Sequence, residues 1–339
     1  MNTDFQTYLD RLEDETEPLD RQFLKHFSVL THAEERRLEE LFASLDRERQ
    51  RRVLEKMVAY AEEDFRLDYT AFFYFCLDSK DPVVRRHAIE GLWEEERPDL
   101  ARRLLEVLRS DPAPQVRAVA ATALGHFLFM AECEQISRRL GNAIQEALDH
   151  AIHADEDRDV VRRAVESIAY INEQEVYRII EGAYKEGGQL MRESAVFAMG
   201  RSAADRWTDI VIDELRSPSP AMRYEAARAS GEIRTSRAVD PLTELLGDTD
   251  RQVQTMAIWA LGQIGGDRAD EVLQYCAKEG DEILRDAASD ALQELRFLSE
   301  PLHFFEVPIE ESVLEEQETK EDAEDEDDED WPDRVLDIG

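Results

Sequence analysis

The chain has 339 residues, 42% of them hydrophobic, and a formal charge of −37. So acidic a molecule repels phosphate backbones and anionic lipid, which sets nucleic acid and membrane surfaces aside as partners and favours a basic protein surface; the same charge also serves simply to keep a protein in solution. No apolar run is long enough to span a bilayer, residues 1–17 are too polar and acidic for a leader, and Cys76, Cys133 and Cys276 are too scattered for a zinc or redox pair, so buried thiols in a reducing cytoplasm are expected.

Two helical segments, 4–12 and 19–30, open the chain on either side of Glu17 and Pro18. They are expected to cap a helical array, because a terminal unit must cover one side of its core without a neighbour. Thr31 then begins a helix with apolar spacing at Leu38, Leu41 and Phe42, and Val53, Met57, Tyr60 and Ala61 mark a second helix paired with it. From Leu77 the pairs become regular, with anchoring alanines at Ala88 and Ala120. From residue 158 to 295 one short pattern is written five times around Ala164, Ala195, Ala226, Ala257 and Ala288, each 31 residues after the last. Ile180, Val211, Leu242 and Leu273 keep the same step in the intervening segments. Each copy is therefore a two-helix unit, and the fold class is all-α, an α-solenoid.

The step from Ala120 to Ala164 is 44 residues, 13 longer than the period. The extra residues fall between Phe127 and Asp155, where Ile136, Leu140, Ile144 and Leu148 predict a lengthened first helix; it serves as a local change in the superhelix, as a docking place or as a tolerated surface insertion, and the last is the reading adopted.

Each second helix starts for a chemical reason. Asp81, Asp157, Ser219, Asp250 and Asp281 stand seven residues before their anchors, able to accept from an unpaired first-turn amide, and Pro82, Pro114 and Pro220 occupy the first helical position. Gly125, Gly200, Gly231 and Gly262 recur five residues after the anchor, which predicts close backbone packing or helix termination there. Arg85, Arg117, Arg192, Arg223 and Arg285 recur three before it, with Val161 and Gln254 as exceptions. A ligand-binding row of cations is one reading. Arginines stacked between units and paired with the turn aspartates is the one adopted, since the chain is rich in carboxylates.

The residues from Asp250 to Ile264, with Val253, Ala257, Ala260, Leu261 and Gly262 in their places, resemble a HEAT repeat of the short phycobilisome-lyase type, and the resemblance extends over 33–298. It implies about eight units in a right-handed superhelix, with second helices on the concave side and a protein gripped there. The domain division expected is 1–32 as a cap, 33–300 as the array, and 301–339 as a disordered acidic tail. Relatives of this type include bilin lyases and the di-iron enzyme deoxyhypusine hydroxylase. The latter implies His-Glu dipeptides as iron ligands, and all seven histidines here precede Phe or Ala instead.

No nucleophile with a paired base, phosphate loop or metal-ligand cluster stands out, so no catalytic residue, metal or cofactor is assigned. Asp155, Asp157, Asp159 and Glu166 imitate part of a calcium loop, but Val160 occupies the obligatory glycine place and a capping turn accounts for the carboxylates. The candidate protein-binding residues are Tyr170, Phe197, Arg201, Tyr224, Arg228 and Trp259, aromatic and cationic side chains on the exposed side of successive second helices. Trp93 and Trp207 are expected in the core. Residues 306–339 carry seventeen carboxylates against Lys320 and Arg334, and end in an apolar motif of Trp331, Val335, Leu336 and Ile338. The reading is a cytoplasmic, non-catalytic scaffold for a protein partner with a basic surface, the acidic tail serving as an auxiliary docking or shielding element and the oligomeric state left open with a monomer favoured; the alternative is a bilin-lyase-like, chromophore-handling factor.

Overall fold

The computed structural model describes residues 3–299, and among them every element is helical: eighteen α-helices and three one-turn 3-10 helices, with no strand. The tail motif, Trp331, Val335, Leu336 and Ile338, lies outside the described residues. After α1 (Thr3–Glu13) and α2 (Arg21–Leu24) the helices come in pairs: α3 (His32–Ser44) with α4 (Arg47–Glu63), α5 (Thr70–Cys76) with α6 (Pro82–Gly91), α7 (Pro98–Ser110) with α8 (Pro114–Glu132), and α9 (Arg138–Ala154) with α10 (Arg158–Ile168). The remaining pairs are α11 (Gln174–Glu186) with α12 (Gln189–Arg201), α13 (Thr208–Glu214) with α14 (Pro220–Ile233), α15 (Val239–Leu245) with α16 (Arg251–Ile264), and α17 (Asp267–Glu279) with α18 (Glu282–Ser299). From α4 to α16 each second helix packs on the next second helix, and first helices touch first helices at α3 and α5, α7 and α9, and α15 and α17. The array is an α-solenoid, and through Leu295 it forms one compact unit.

Why the pairs stack is visible in three recurring devices. The first is the apolar stripe: Met57 and all seven anchoring alanines are fully buried, as are Ile180, Val211, Leu242 and Leu273 in the first helices. Burying a side chain of the latter size is worth about 1.5–3 kcal/mol.

The second is a seam of small residues. A Cβ placed on Gly125, Gly200, Gly231 or Gly262 would lie 2.9, 2.6, 2.8 or 3.0 Å from Ser167, Ala229, Trp259 or Ala291 of the following second helix, and at Gly231 Ala260 stands as close as 2.9 Å. All four glycines sit inside helices. Close packing, not termination, is their purpose.

The third device is ionic. Arg85, Arg117 and Arg223 each fork onto a carboxylate of the next unit, Asp111, Asp155 and Asp248, with both contacts at 2.6–2.8 Å. Their remaining amino groups donate to the carbonyls of Ser79, Asp111 and Ser217 at 2.8–2.9 Å. The partner is thus not the capping aspartate but the residue two places earlier, because that carboxylate also accepts the amide of Ala113, Asp157 or Asp250 and is held facing back along the array. Gln254 keeps only the carbonyl bond, to Asp248. Arg192 departs too, pairing with Glu214 at 2.7 Å, and Arg285 reaches only the Gly280 carbonyl. The capping aspartates Asp81 and Asp281 do cap, and are paired by Arg51 and Arg251 of the preceding unit, each at 2.8 Å.

At the amino-terminal end Phe5, Leu9, Leu12, Phe23, Leu24 and Phe27 are buried, and Arg49 of α4, itself 1% exposed, donates to the carbonyls of Leu12, Glu15 and Glu17. The second segment is shorter than its spacing predicts: α2 is one turn, continued by a 3-10 turn at Lys25–Phe27.

Three further expectations are corrected. The enlarged unit does not lengthen the first helix alone, since α8 itself runs to Glu132 before α9 begins. Gly141 of α9 allows this, because a Cβ there would lie 2.6 Å from that of Ala131, so two long helices cross at close range. Cys133, at the end of α8, is exposed, while Cys76 and Cys276 are buried. Trp93 is 57% exposed rather than core, whereas Trp207 is buried and donates from Nε1 to Ser202.

Candidate functional site

Four of the six candidate residues gather around one ring. The Arg228 guanidinium lies 3.8 Å from the Phe197 ring centre and that of Arg201 4.8 Å from it, so the ring is held between two cations. Arg201 also stacks 5.0 Å from the Tyr170 ring and bonds its hydroxyl, and Tyr170 meets Phe129 with ring centres 5.2 Å apart. The sequence produces this because residue two after the anchor meets residue two of the next unit, Phe197 with Arg228, and residue six meets residue six, Tyr170 with Arg201, while Arg201 and Phe197 are one turn apart on α12. Tyr224 stands beside Phe197 on the following helix. Trp259 is not part of the cluster: its ring packs on the backbone of α14 at Gly231 and is half-buried there. All six side chains are intermediate in exposure.

The two cations differ in what they can offer. Arg228 is neutralised by Glu225 at 2.9 Å and Glu232 at 2.5 Å, and donates to the Phe197 carbonyl. Burial pushes the Glu225 carboxyl above its ordinary range, and Arg228 only partly offsets this. Among the described residues Arg201 has no carboxylate within ion-pair distance, and its Nε is buried without a hydrogen bond.

Two hollows open on this face, and Phe197 lines both. One, of about 430 Å³, is polar: Arg162, Arg163, Glu166, Glu193, Tyr224, Glu225 and Asp250 contribute to it. The other, of about 450 Å³, is mostly apolar, with Leu92, Trp93, Ala123, Phe127, Tyr170 and Phe197 in its wall. The sequence does not mark Trp93, His126 or Phe129 as site residues. The available signal was an exception, a tryptophan where the period calls for glycine.

The carboxylates resembling a calcium loop are all committed elsewhere. Asp157 caps α10, Asp155 pairs with Arg117, Asp159 faces Arg162 at 3.6 Å, and Glu166 accepts from Ser194 at 2.6 Å and from Arg163 at 2.7 Å. Among the described residues no group of three metal-ligating side chains converges, and no helix is long and apolar enough to cross a membrane.

Residues 70–132 and 208–293 match the HEAT repeat family. Those two segments carry HEAT repeats. They are α5–α8 and α13–α18 of the array, and α9–α12 fall between them. No curated protein matches the sequence. Among solved structures, Kap95p in its RanGDP complex is 12% identical, covering 86% of this chain and 45% of that one with a TM-score of 0.44. Escherichia coli YibA is 18% identical over 70% and 96% of the two chains with a TM-score of 0.42. Human deoxyhypusine hydroxylase is 17% identical over 78% and 96% with a TM-score of 0.35. These are likenesses of fold only.

Proposed function

We propose that this protein is a cytoplasmic, non-catalytic scaffold that grips a protein partner on the face of its second helices. HEAT-type repeats typically mediate protein binding, and the observation that carries the reading here is the ring of Phe197, held between Arg201 and Arg228 at the junction of two hollows. Aromatic and arginine side chains set in a partly desolvated surface are the residue types that dominate binding energy at protein interfaces. The net charge of −37 supports a partner whose contacting surface is basic.

The test is recovery of co-purifying proteins from the native cell with the wild-type chain, Phe197→Ala and Tyr224→Ala, alongside circular dichroism of each. The expected result is a discrete set of proteins held by the wild type and lost by both variants at unchanged helicity. An identical set from all three would overturn the reading. Retention of a coloured tetrapyrrole by the purified protein would move it to chromophore handling of the bilin-lyase kind.

A further inference from the structure

The apolar hollow lies where a tryptophan takes the place that glycine holds in four of the seven units. In the units around Gly125, Gly200, Gly231 and Gly262 a glycine five places after the anchor presses on a small residue three places after the next. In the unit anchored at Ala88 that place is Trp93, and the small residue opposite is Ala123. The helix cannot deliver Trp93 to the seam, because α6 stops at Gly91, where a Cβ would lie 2.4 Å from the ring of Phe73. The chain leaves the helix in a turn, Trp93 stands 57% exposed at the rim, and the seam opens. The floor of the gap is covered by Ile89, Leu92, Leu100 and Phe127, and Ala123, Tyr170 and Phe197 are in its walls.

The rim is acidic on one side. Glu62, Glu90 and Glu95 line the hollow, and Glu94 and Glu96 flank them in the same turn as Trp93. Glu90 is bonded by His87 at 2.8 Å and Glu95 by Arg97 at 3.0 Å. Among the described residues Glu62 and Glu94 have no ion pair, and Glu96 faces the His126 ring at 4.0 Å. Three exposed carboxylates therefore stand on one side of an apolar recess with a tryptophan at its mouth, Glu62 and Glu94 without an ion pair and Glu96 facing His126; Arg201, which lines the same hollow, is stacked on the Tyr170 and Phe197 rings.

We propose that this hollow takes a basic linear segment of the partner protein, one bulky apolar side chain entering against Trp93, Leu92 and Phe127 while flanking lysines or arginines meet Glu62, Glu94 and Glu96. The proposal rests on the scaffold reading and narrows it to one hollow and one ligand chemistry. Charge complementarity selects the occupant: an acid-flanked segment would place like charges together at the rim, and a wholly polar one would leave the recess unfilled.

The full-length protein is titrated against three labelled peptide pools, each with a central leucine, phenylalanine or tryptophan, flanked by lysine and arginine, by serine, or by glutamate. The basic pool should bind, and its affinity should fall about tenfold or more for Trp93→Ala. The triple variant Glu62→Gln, Glu94→Gln, Glu96→Gln should lower it comparably and flatten its salt dependence. These side chains are exposed, so both variants keep the wild-type melting temperature. Equal binding of all pools, binding indifferent to both variants, preference for the glutamate pool, or self-association abolished by Trp93→Ala would each overturn the proposal. If Trp93→Ala holds every natural partner that Tyr224→Ala loses, this inference falls while the scaffold stands; if neither variant loses a partner, both fall.

Discussion

Arg85 and Arg192 occupy the same place in the repeat but not the same physical situation. The Arg85 side chain is 12% exposed and its partner Asp111 7%, joined by two parallel contacts; Arg192 is 43% exposed and makes one contact to Glu214, which is 11% exposed and also accepts from the Tyr184 hydroxyl at 2.6 Å. Removing one member of a buried pair strands the other without water, whereas a half-exposed arginine is screened and Glu214 keeps its second donor. Arg85→Ala should lower unfolding stability by about 3 kcal/mol and Arg192→Ala by about 1 kcal/mol or less, read from urea titrations. The same contacts set the acid response. The Arg117 and Arg223 guanidinium groups hold Asp155 and Asp248 below the usual carboxylate range. A carboxylate depressed in the folded state contributes stability that is present above its unfolded pKa of about 3.9 and is lost as pH falls through the folded value. Stability should therefore drop below about pH 4, and Asp155→Asn, already lacking the ionised partner, should show a shallower acid slope by thermal melts against pH.

At the scale of the helix, glycine tests which contacts hold the seam. Gly182 lies within α11 with nothing inside 4 Å of a built Cβ, while at Gly231 that Cβ would sit 2.8 Å from the Trp259 ring and 2.9 Å from the Ala260 backbone. Alanine gains up to about 1 kcal/mol of helix propensity at either place, but overpacking a close helix contact costs about 1–3 kcal/mol. Gly182→Ala should stabilise and Gly231→Ala destabilise, by about 1 kcal/mol in each direction, measured by chemical denaturation. The seam itself was legible in the sequence because Gly125, Gly200, Gly231 and Gly262 repeat with the anchors, and so were the capping aspartates and the arginine row. What stayed hidden was set by contacts without a period. The absence of a side chain at Gly91 depends on Phe73 from another helix, the close crossing of the extended α8 depends on Gly141 meeting Ala131, and the acceptors of the arginine row depend on how a turn aims its carboxylate. Of the candidate site, Tyr170, Phe197, Arg201 and Arg228 could be placed together from spacing alone. Trp93 could not, since periodic reasoning assigns an outlier to the core unless its helix is known to have ended.

For the molecule as a whole the charge acts in two directions. At −37 the chain repels itself, which opposes compaction, while the ion pairs within the array favour it. The inter-unit pairs, Arg85 with Asp111, Arg117 with Asp155 and Arg223 with Asp248, are largely shielded from solvent, so added salt screens them least. Screening should then act mainly on the diffuse repulsion, and the melting temperature should rise as ionic strength goes from about 0.01 to 0.15 M, over which the Debye length shrinks from about 30 to 8 Å. Capture of a basic segment at the Glu62, Glu94 and Glu96 rim depends on exposed charges, so its affinity should fall over the same range. One salt titration followed by melting and by peptide binding thus separates the two: opposite slopes are expected. A melting temperature that falls with salt would mean that exposed ion pairs, not the buried inter-unit set, hold the array together.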